Sequence, residues 1–228
     1  MKVYIGHDPR EEAAYQTAVR SLARVSPGLE ATPMRADKLA ACGLLRRPVD
    51  HRGGLYDLPS NAPCATEFAI SRFLTPMLAQ TGWALFTDCD MVFLSDVREM
   101  LEQADPGKAV MVVKHPPLED EGTKMDGAIQ LRYPRKNWSS VILWNCDHPA
   151  NQRLSLQDVN ERPGRDLHRF YWLADSEIGS LSPDWNWLVG VQAKPLFPRI
   201  AHFTLGGPWF PNWTGAEHDE LWLEASRG

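Results

Sequence analysis

Trp83-Ala84-Leu85-Phe86-Thr87-Asp88-Cys89-Asp90-Met91-Val92-Phe93-Leu94 carries an apolar run that ends in two carboxylates one residue apart. A short run such as Trp83 to Phe86 reads as a strand buried on both faces, and in open α/β sheets ligands gather beyond the carboxyl ends of strands. Asp88 and Asp90 are therefore expected at that edge. Residues two apart in an extended segment point the same way, so both carboxylates can face one hard cation, as proteins do when holding Mg²⁺ or Mn²⁺ against phosphates. Chance alone supplies roughly one Asp-x-Asp in a chain this rich in aspartate. The apolar run in front of the pair, rather than its spelling, sets it apart from a solvated or capping pair.

Working toward the N-terminus, Val3 to Ile5 is apolar, Asp8 can cap, Pro9 suits a first helical position and Glu11 completes a capping-box spacing. Ala14, Ala18, Leu22 and Val25 then form a helical stripe. The turn Gly6-His7-Asp8 is expected near a base and ribose, with Asp8 as a plain N-cap the alternative. Phe68, Ile70, Phe73, Leu74 and Met77 predict a second helix from Cys64 to Gln80, bent at Pro76 and carrying Arg72. Further strands are expected at 109–113, 139–144 and 200–203, with short helices at 96–102 and 149–156. Strands alternating with helices imply a largely parallel α/β sheet.

The chain has 228 residues, 43% of them hydrophobic, and a formal net charge of −5. That length suits one large domain better than two small ones, and the acidic balance argues against a nucleic-acid partner. No segment approaches the roughly 18 apolar residues of a membrane span, and the start reads as too short for a signal peptide, so a cytoplasmic protein is expected. Cys42, Cys64, Cys89 and Cys146 are widely spaced, which suits reduced, mostly buried thiols better than a zinc site or disulfides.

Residues 114–138 are too long and polar for a simple connection, and Lys114, Lys124, Arg132, Arg135 and Lys136 there either meet an anionic ligand or form a solvated loop. Of nine tryptophans, all but Trp83 follow residue 137. Most are assigned to core, with Trp209, and after it Trp138 or Trp213, reserved for stacking on a sugar ring. Late in the chain, Ile200-Ala201-His202-Phe203 delivers a histidine from a strand end, followed by Gly206-Gly207. An imidazole added to two carboxylates suits Mn²⁺ better than Mg²⁺, although a lone histidine is more often structural. The tail from Glu217 to Arg227 reads as a surface helix, or as a docking helix for a membrane or partner.

Tyr4-Ile5-Gly6-His7-Asp8, Arg72, Phe86-Thr87-Asp88-Cys89-Asp90, Ser139-Ser140-Val141-Ile142-Leu143-Trp144-Asn145-Cys146, Asp175-Ser176-Glu177 and His202, in that order, resemble the metal-dependent nucleotide-diphospho-sugar glycosyltransferases, most closely family 8. The resemblance spans nearly the whole chain. It implies a Rossmann-like GT-A fold, α/β with a mostly parallel central sheet, as a single domain over 1–228. Residues 1–113 would form its nucleotide- and metal-binding half and 114–228 its acceptor-side half.

By the same resemblance, Asp88, Asp90 and His202 bind Mn²⁺ or Mg²⁺. Tyr4, Gly6, Asp8, Arg72, Asp88, Gly206 and Trp209 face the donor, a nucleotide sugar with UDP as the default. Asp175, assisted by Glu177, lies beside the reacting sugar as the catalytic group. The implied reaction moves a hexose, with retention, to a glycan, lipid-linked or other hydroxyl acceptor. Peripheral membrane contact is compatible with it.

Two departures stand out. The family pattern His-x-x-Gly-x-x-Lys-Pro-Trp is altered: Gly206 comes one position late, the lysine is missing, and Pro208-Trp209 come one position early. Lys136, Lys124 or Arg199 is expected to replace that phosphate contact. The usual Asp-Gln is here Asp175-Ser176.

An apolar strand ending in Asp-x-Asp also resembles the first motif of haloacid-dehalogenase-type phosphohydrolases, where the first aspartate is a nucleophile. That motif normally lies near the chain start and needs a later Gly-Asp, and this chain has no Gly-Asp dipeptide. A non-catalytic carbohydrate-binding protein would account for the tryptophans, but not for a phosphate-facing acidic pair.

Overall fold

The computed structural model describes residues 1–51, 53–116, 135 and 137–227. Val3, Tyr4 and Ile5 form the buried centre of β1 (Lys2–His7), the first strand. Asp8 caps a 3-10 turn over Pro9–Glu11, accepting from the Arg10 N–H, and α1 (Glu12–Val25) follows. The expected capping box through Glu11 does not form, because the Asp8 carboxylate is taken by Arg10 and by the Glu67 N–H. Ala14, Ala18 and Leu22 are buried as the stripe requires, whereas Val25 is only partly covered.

Next come β2 (Ala31–Arg35), α2 (Ala36–Ala41) and a small antiparallel sheet of β3 (Val49–Asp50), β4 (Tyr56–Asp57) and β5 (Ala62–Pro63). The buried Arg47–Asp57 pair clamps that sheet through two 2.6 Å contacts. The single helix expected from Cys64 to Gln80 is instead a set of turns, a 3-10 turn at Ser71–Leu74, and α3 (Thr75–Ala79). Proline lacks an N–H and clashes with a preceding helical turn, so Pro76 begins a helix here and does not bend one.

The remaining elements are β6 (Trp83–Thr87), β7 (Met91–Phe93), β8 (Val110–Val112), β9 (Val141–Asn145), α4 (Leu156–Glu161), α5 (Gly164–His168), β10 (Ile178–Ser180), β11 (Trp187–Leu188), β12 (Ile200–His202) and α6 (Asp219–Ser226). The strand expected at 139–144 starts later, because Trp138–Ser140 is a 3-10 turn. The short helices expected at 96–102 and 149–156 are 3-10 turns at Val97–Gln103 and Pro149–Arg153.

A six-stranded sheet in the order β10-β8-β9-β6-β1-β2 forms the centre, and only β9 runs against the others. The fold class is therefore the mixed α/β, mostly parallel arrangement expected. A second sheet, β11-β12-β7, pairs His202 with Met91, one residue past Asp90. This pairing brings the late histidine to the acidic pair.

Trp144, Trp185 and Trp187 are fully buried, and Trp172 and Trp222 nearly so, as core assignment requires. In α6, Trp222 and Ala225 pack inward beside Val92 and Phe203. Cys89 alone among the four thiols is fully buried, and Cys42 is exposed. No helix among the described residues is long and apolar enough to cross a membrane.

Candidate active site

Asp88 leaves the carboxyl end of β6, where its N–H donates to the Ser140 carbonyl at 3.0 Å. The Asp90 carbonyl accepts from Phe203 N–H at 2.9 Å, which locks the acidic turn to the segment after β12. As a result, ligand atoms of Asp88, Asp90 and His202 all lie within 4.8 Å of one another. His202 Nε2 stands 3.3 Å from Asp90 Oδ2.

The imidazole tautomer follows from its other partner. Ser140 Oγ donates to the Asn137 carbonyl, so it accepts from Asn186 Nδ2 at 2.8 Å. That fixes the Asn186 amide with Oδ1 toward His202 Nδ1, 2.9 Å away. Nδ1 then carries the proton and Nε2 presents its lone pair toward the carboxylates. Metal-binding histidines are held in this way by a second hydrogen bond. Two carboxylates and one neutral imidazole nitrogen make a donor set that fits Mn²⁺.

Arg72 is buried and places Nη1 2.8 Å from Asp88 Oδ1. It also donates to the carbonyls of Ser139 at 2.7 Å and Ala69 at 2.9 Å, and its guanidinium lies 5.0 Å from the centre of the Phe86 ring. Charge pairing, two carbonyl contacts and an aromatic face hold it in one position. The adjacent carbonyls of Ser139 and Ser140 thus hold Arg72 and the Asp88 N–H respectively. Behind them, Ser139 Oγ meets His168 Nδ1 at 2.7 Å, and burial, with Arg72 and Arg47 nearby, pushes that histidine well below its ordinary pKa.

The described contacts of the N-terminal candidates are with the core and with neighbouring loops. Tyr4 is a core residue whose hydroxyl pKa is raised by burial and by Cys146, and no described contact joins it to the triad. A Cβ on Gly6 would lie 2.3 Å from Phe68 Cδ2, so glycine is needed there for the ring. Burial pushes the Asp8 carboxyl up, but the side chain of Arg10 and the N–H groups of Glu67 and Arg10 outweigh it and hold the pKa below the usual value. Asp8 has no exposed surface.

After β12, Gly206 adopts φ 108°, a conformation that favours glycine, and Gly207 lies against the Trp209 ring. Trp209 packs on Phe210 and Trp222 at centroid distances of 5.3 and 5.8 Å. Trp213 donates to Asp219 Oδ2 at 2.6 Å, and Trp138 donates to the His115 carbonyl at 3.0 Å. Lys114 lies 5.7 Å from the Trp138 ring centre.

The Asp175 side chain is 87% exposed and pairs with Arg135, which also donates to the Arg169 carbonyl. Glu177 accepts from the Arg153 side chain and from Ala174 N–H, interactions that lower its pKa and close the turn carrying Asp175. No described contact joins either acid to the triad. Arg199 is committed to Glu99 and to the Trp185 ring, 4.9 Å away, which removes it from the candidates for the missing lysine. Lys124, Arg132 and Lys136 lie outside the described residues.

Asn186 was not singled out in the sequence, and Ser139 and Ser140 entered only as part of the mid-chain motif. The available signal was a lone amide between Trp185 and Trp187, since a polar side chain buried within core must find a partner.

The chain has the fold of the GT-A glycosyltransferases. The glycosyltransferase GlyE of Streptococcus pneumoniae TIGR4 matches with a TM-score of 0.62 at 16% identity, over 99% of this chain and 59% of that one. Galactosyltransferase LgtC, solved with donor and acceptor sugar analogs, matches with a TM-score of 0.57 at 17% identity, over 100% and 95%. The bifunctional glycosyltransferase WbbM matches with a TM-score of 0.58 at 12% identity, over 99% and 49%. The chain thus spans well under two thirds of GlyE and WbbM. It belongs to the family of Protein CDI from Arabidopsis thaliana, to which it is 45% identical over 229 residues, 97% of this chain and 84% of that protein. No protein-family model matches the chain.

Proposed function

We propose that this protein is a Mn²⁺-dependent, family 8-type glycosyltransferase that moves a hexose from a UDP-linked donor to a hydroxyl acceptor, with retention at the anomeric carbon. The observation that carries the reading is the convergence of Asp88, Asp90 and His202 within 4.8 Å at the carboxyl end of the central strand. Asp88 and Asp90 act as ion ligands and not as nucleophiles, Arg72 holds Asp88 in place, and His202 offers Nε2. When bound there, a divalent ion supplies positive charge to the diphosphate oxygens as the sugar–phosphate bond breaks.

Residues 1–113 hold the nucleotide and most of the ion site, and 114–228 contribute His202 and the acceptor side. Tyr4, Gly6 and Asp8 shape the nucleotide side through the packing of β1 and its turn. Gly206 and Trp209 border the donor. Asp175, steadied by Arg135 and by the turn that Glu177 closes, orients the sugar and offsets positive charge on its ring. The acceptor hydroxyl, on a glycan or a lipid-linked sugar, enters on the leaving-group face and passes its proton to a phosphate oxygen. The reaction takes place in the cytoplasm.

Incubation with UDP-glucose or UDP-galactose and Mn²⁺ should release UDP, with loss of turnover in EDTA and in Asp88→Asn. Folded protein that releases no UDP from either donor would contradict the reading.

A further inference from the structure

His115 lies just past β8, which runs in the same direction as β6, so it emerges at the sheet edge that carries Asp88. It is 6% exposed. Gln192 fixes its tautomer: Gln192 Oε1 accepts from Leu188 N–H at 3.4 Å, so its Nε2 faces His115 Nδ1 at 3.2 Å. Nδ1 is therefore the acceptor, and Nε2 carries the proton. That Nε2–H has no hydrogen-bond partner among the described residues. Leu188 pairs with His202 across β11 and β12, and the Val189 N–H donates to the His202 carbonyl at 2.9 Å, which puts the Gln192 clamp beside the third ion ligand.

Buried donors are almost always satisfied, and an unmatched one on the segment beside a candidate ion ligand points to a ligand acceptor. We infer that the His115 Nε2–H donates to an oxygen of the diphosphate held at the Asp88–Asp90–His202 site. This inference rests on the reading proposed above. Phosphate oxygens only accept, which matches a group that only donates. Burial and the neighbouring His202 push the His115 pKa down to about 4, so it stays a neutral donor at ordinary pH. A neutral N–H here would take part of the role expected of the missing lysine.

The test is calorimetric titration of inorganic pyrophosphate in saturating Mn²⁺, with Mn²⁺ binding alone measured separately. His115→Phe should weaken pyrophosphate binding about tenfold or more, the loss expected for a hydrogen bond to a charged group. Mn²⁺ affinity should stay within about twofold, and His115→Gln, which keeps an N–H, should recover most of the pyrophosphate affinity. In wild-type protein the His115 ¹⁵Nε2 resonance should shift when Mg²⁺ and pyrophosphate are added, a readout that needs no variant. Equal pyrophosphate affinity in wild type and His115→Phe, or an unmoved resonance at saturation, would overturn the inference. Wild type that shows no metal-dependent pyrophosphate binding would instead overturn the ion–diphosphate reading beneath it.

Discussion

The Asn186 side-chain carbonyl lies 2.9 Å from His202 Nδ1 and is itself oriented by Ser140. Because Ser140 also holds the Asp88 N–H through its carbonyl, one residue sets both a carboxylate and an imidazole. Asn186→Leu should therefore weaken Mn²⁺ binding by about 10- to 100-fold. Asn186→Asp keeps an acceptor for Nδ1 and should bind Mn²⁺ nearly as wild type does. Electron paramagnetic resonance titration of free Mn²⁺ measures both, and equal affinity in wild type and Asn186→Leu would refute the relay.

Arg72 and Asp88 are both largely shielded from water, with side chains 6% and 16% exposed. Removing one partner of such a pair strands the other, so Arg72→Met should cost about 3–5 kcal/mol in urea unfolding. Arg72→Lys should recover only part of this, because an ammonium cannot match the forked contacts to Asp88, Ser139 and Ala69. Full recovery by lysine would show that charge alone matters.

Gly6 fits beneath Phe68 for want of a Cβ. Gly6→Ala should destabilise by about 1–3 kcal/mol through overpacking. Combined with Phe68→Leu, the two losses should sum to less than their separate values in a double-mutant cycle, since the smaller side chain relieves the clash. Strict additivity would place the cost of Gly6→Ala elsewhere.

Burial depresses the pKa of His115 to about 4, and that of His168 well below its ordinary value. The folded state then binds fewer protons than the unfolded one, whose histidines titrate near 6.5. Stability from this source is complete above pH 6.5 and falls as pH drops toward 4, with about 2 kcal/mol lost at pH 5 from His115 alone. Asp8 and Glu177 are shifted down among carboxylates and lose their contribution only at lower pH. Urea unfolding at pH 7 and pH 5 should show the loss, and His115→Gln should show less of it. Equal stability at both pH values would contradict the buried neutral histidines.

The central sheet was legible because its strands are short apolar runs between turn-forming residues, as in Trp83 to Phe86 and Val141 to Trp144. The acidic pair and late histidine were legible as residue types, but only the antiparallel pairing of β12 with β7 shows that they meet. Local pattern misled at Cys64 to Gln80, where apolar spacing looked helical although Pro76 suits only a helix start. It also gave no warning that Gly6 packs under Phe68 or that Asp8 accepts from the Glu67 N–H, because those two partners lie far along the chain. The roles of Ser140 and Asn186 depend on a hydrogen-bond chain between residues 46 apart, which no local spacing encodes.

Mn²⁺ affinity of wild type, Asp90→Asn and His202→Ala, each verified as folded by its thermal midpoint, addresses the three-ligand site directly. One Mn²⁺ should bind per wild-type chain, and each substitution should weaken it by at least about tenfold while leaving the fold intact. Undiminished Mn²⁺ binding in folded His202→Ala would mean that the imidazole is no ligand, and the site as described would be wrong.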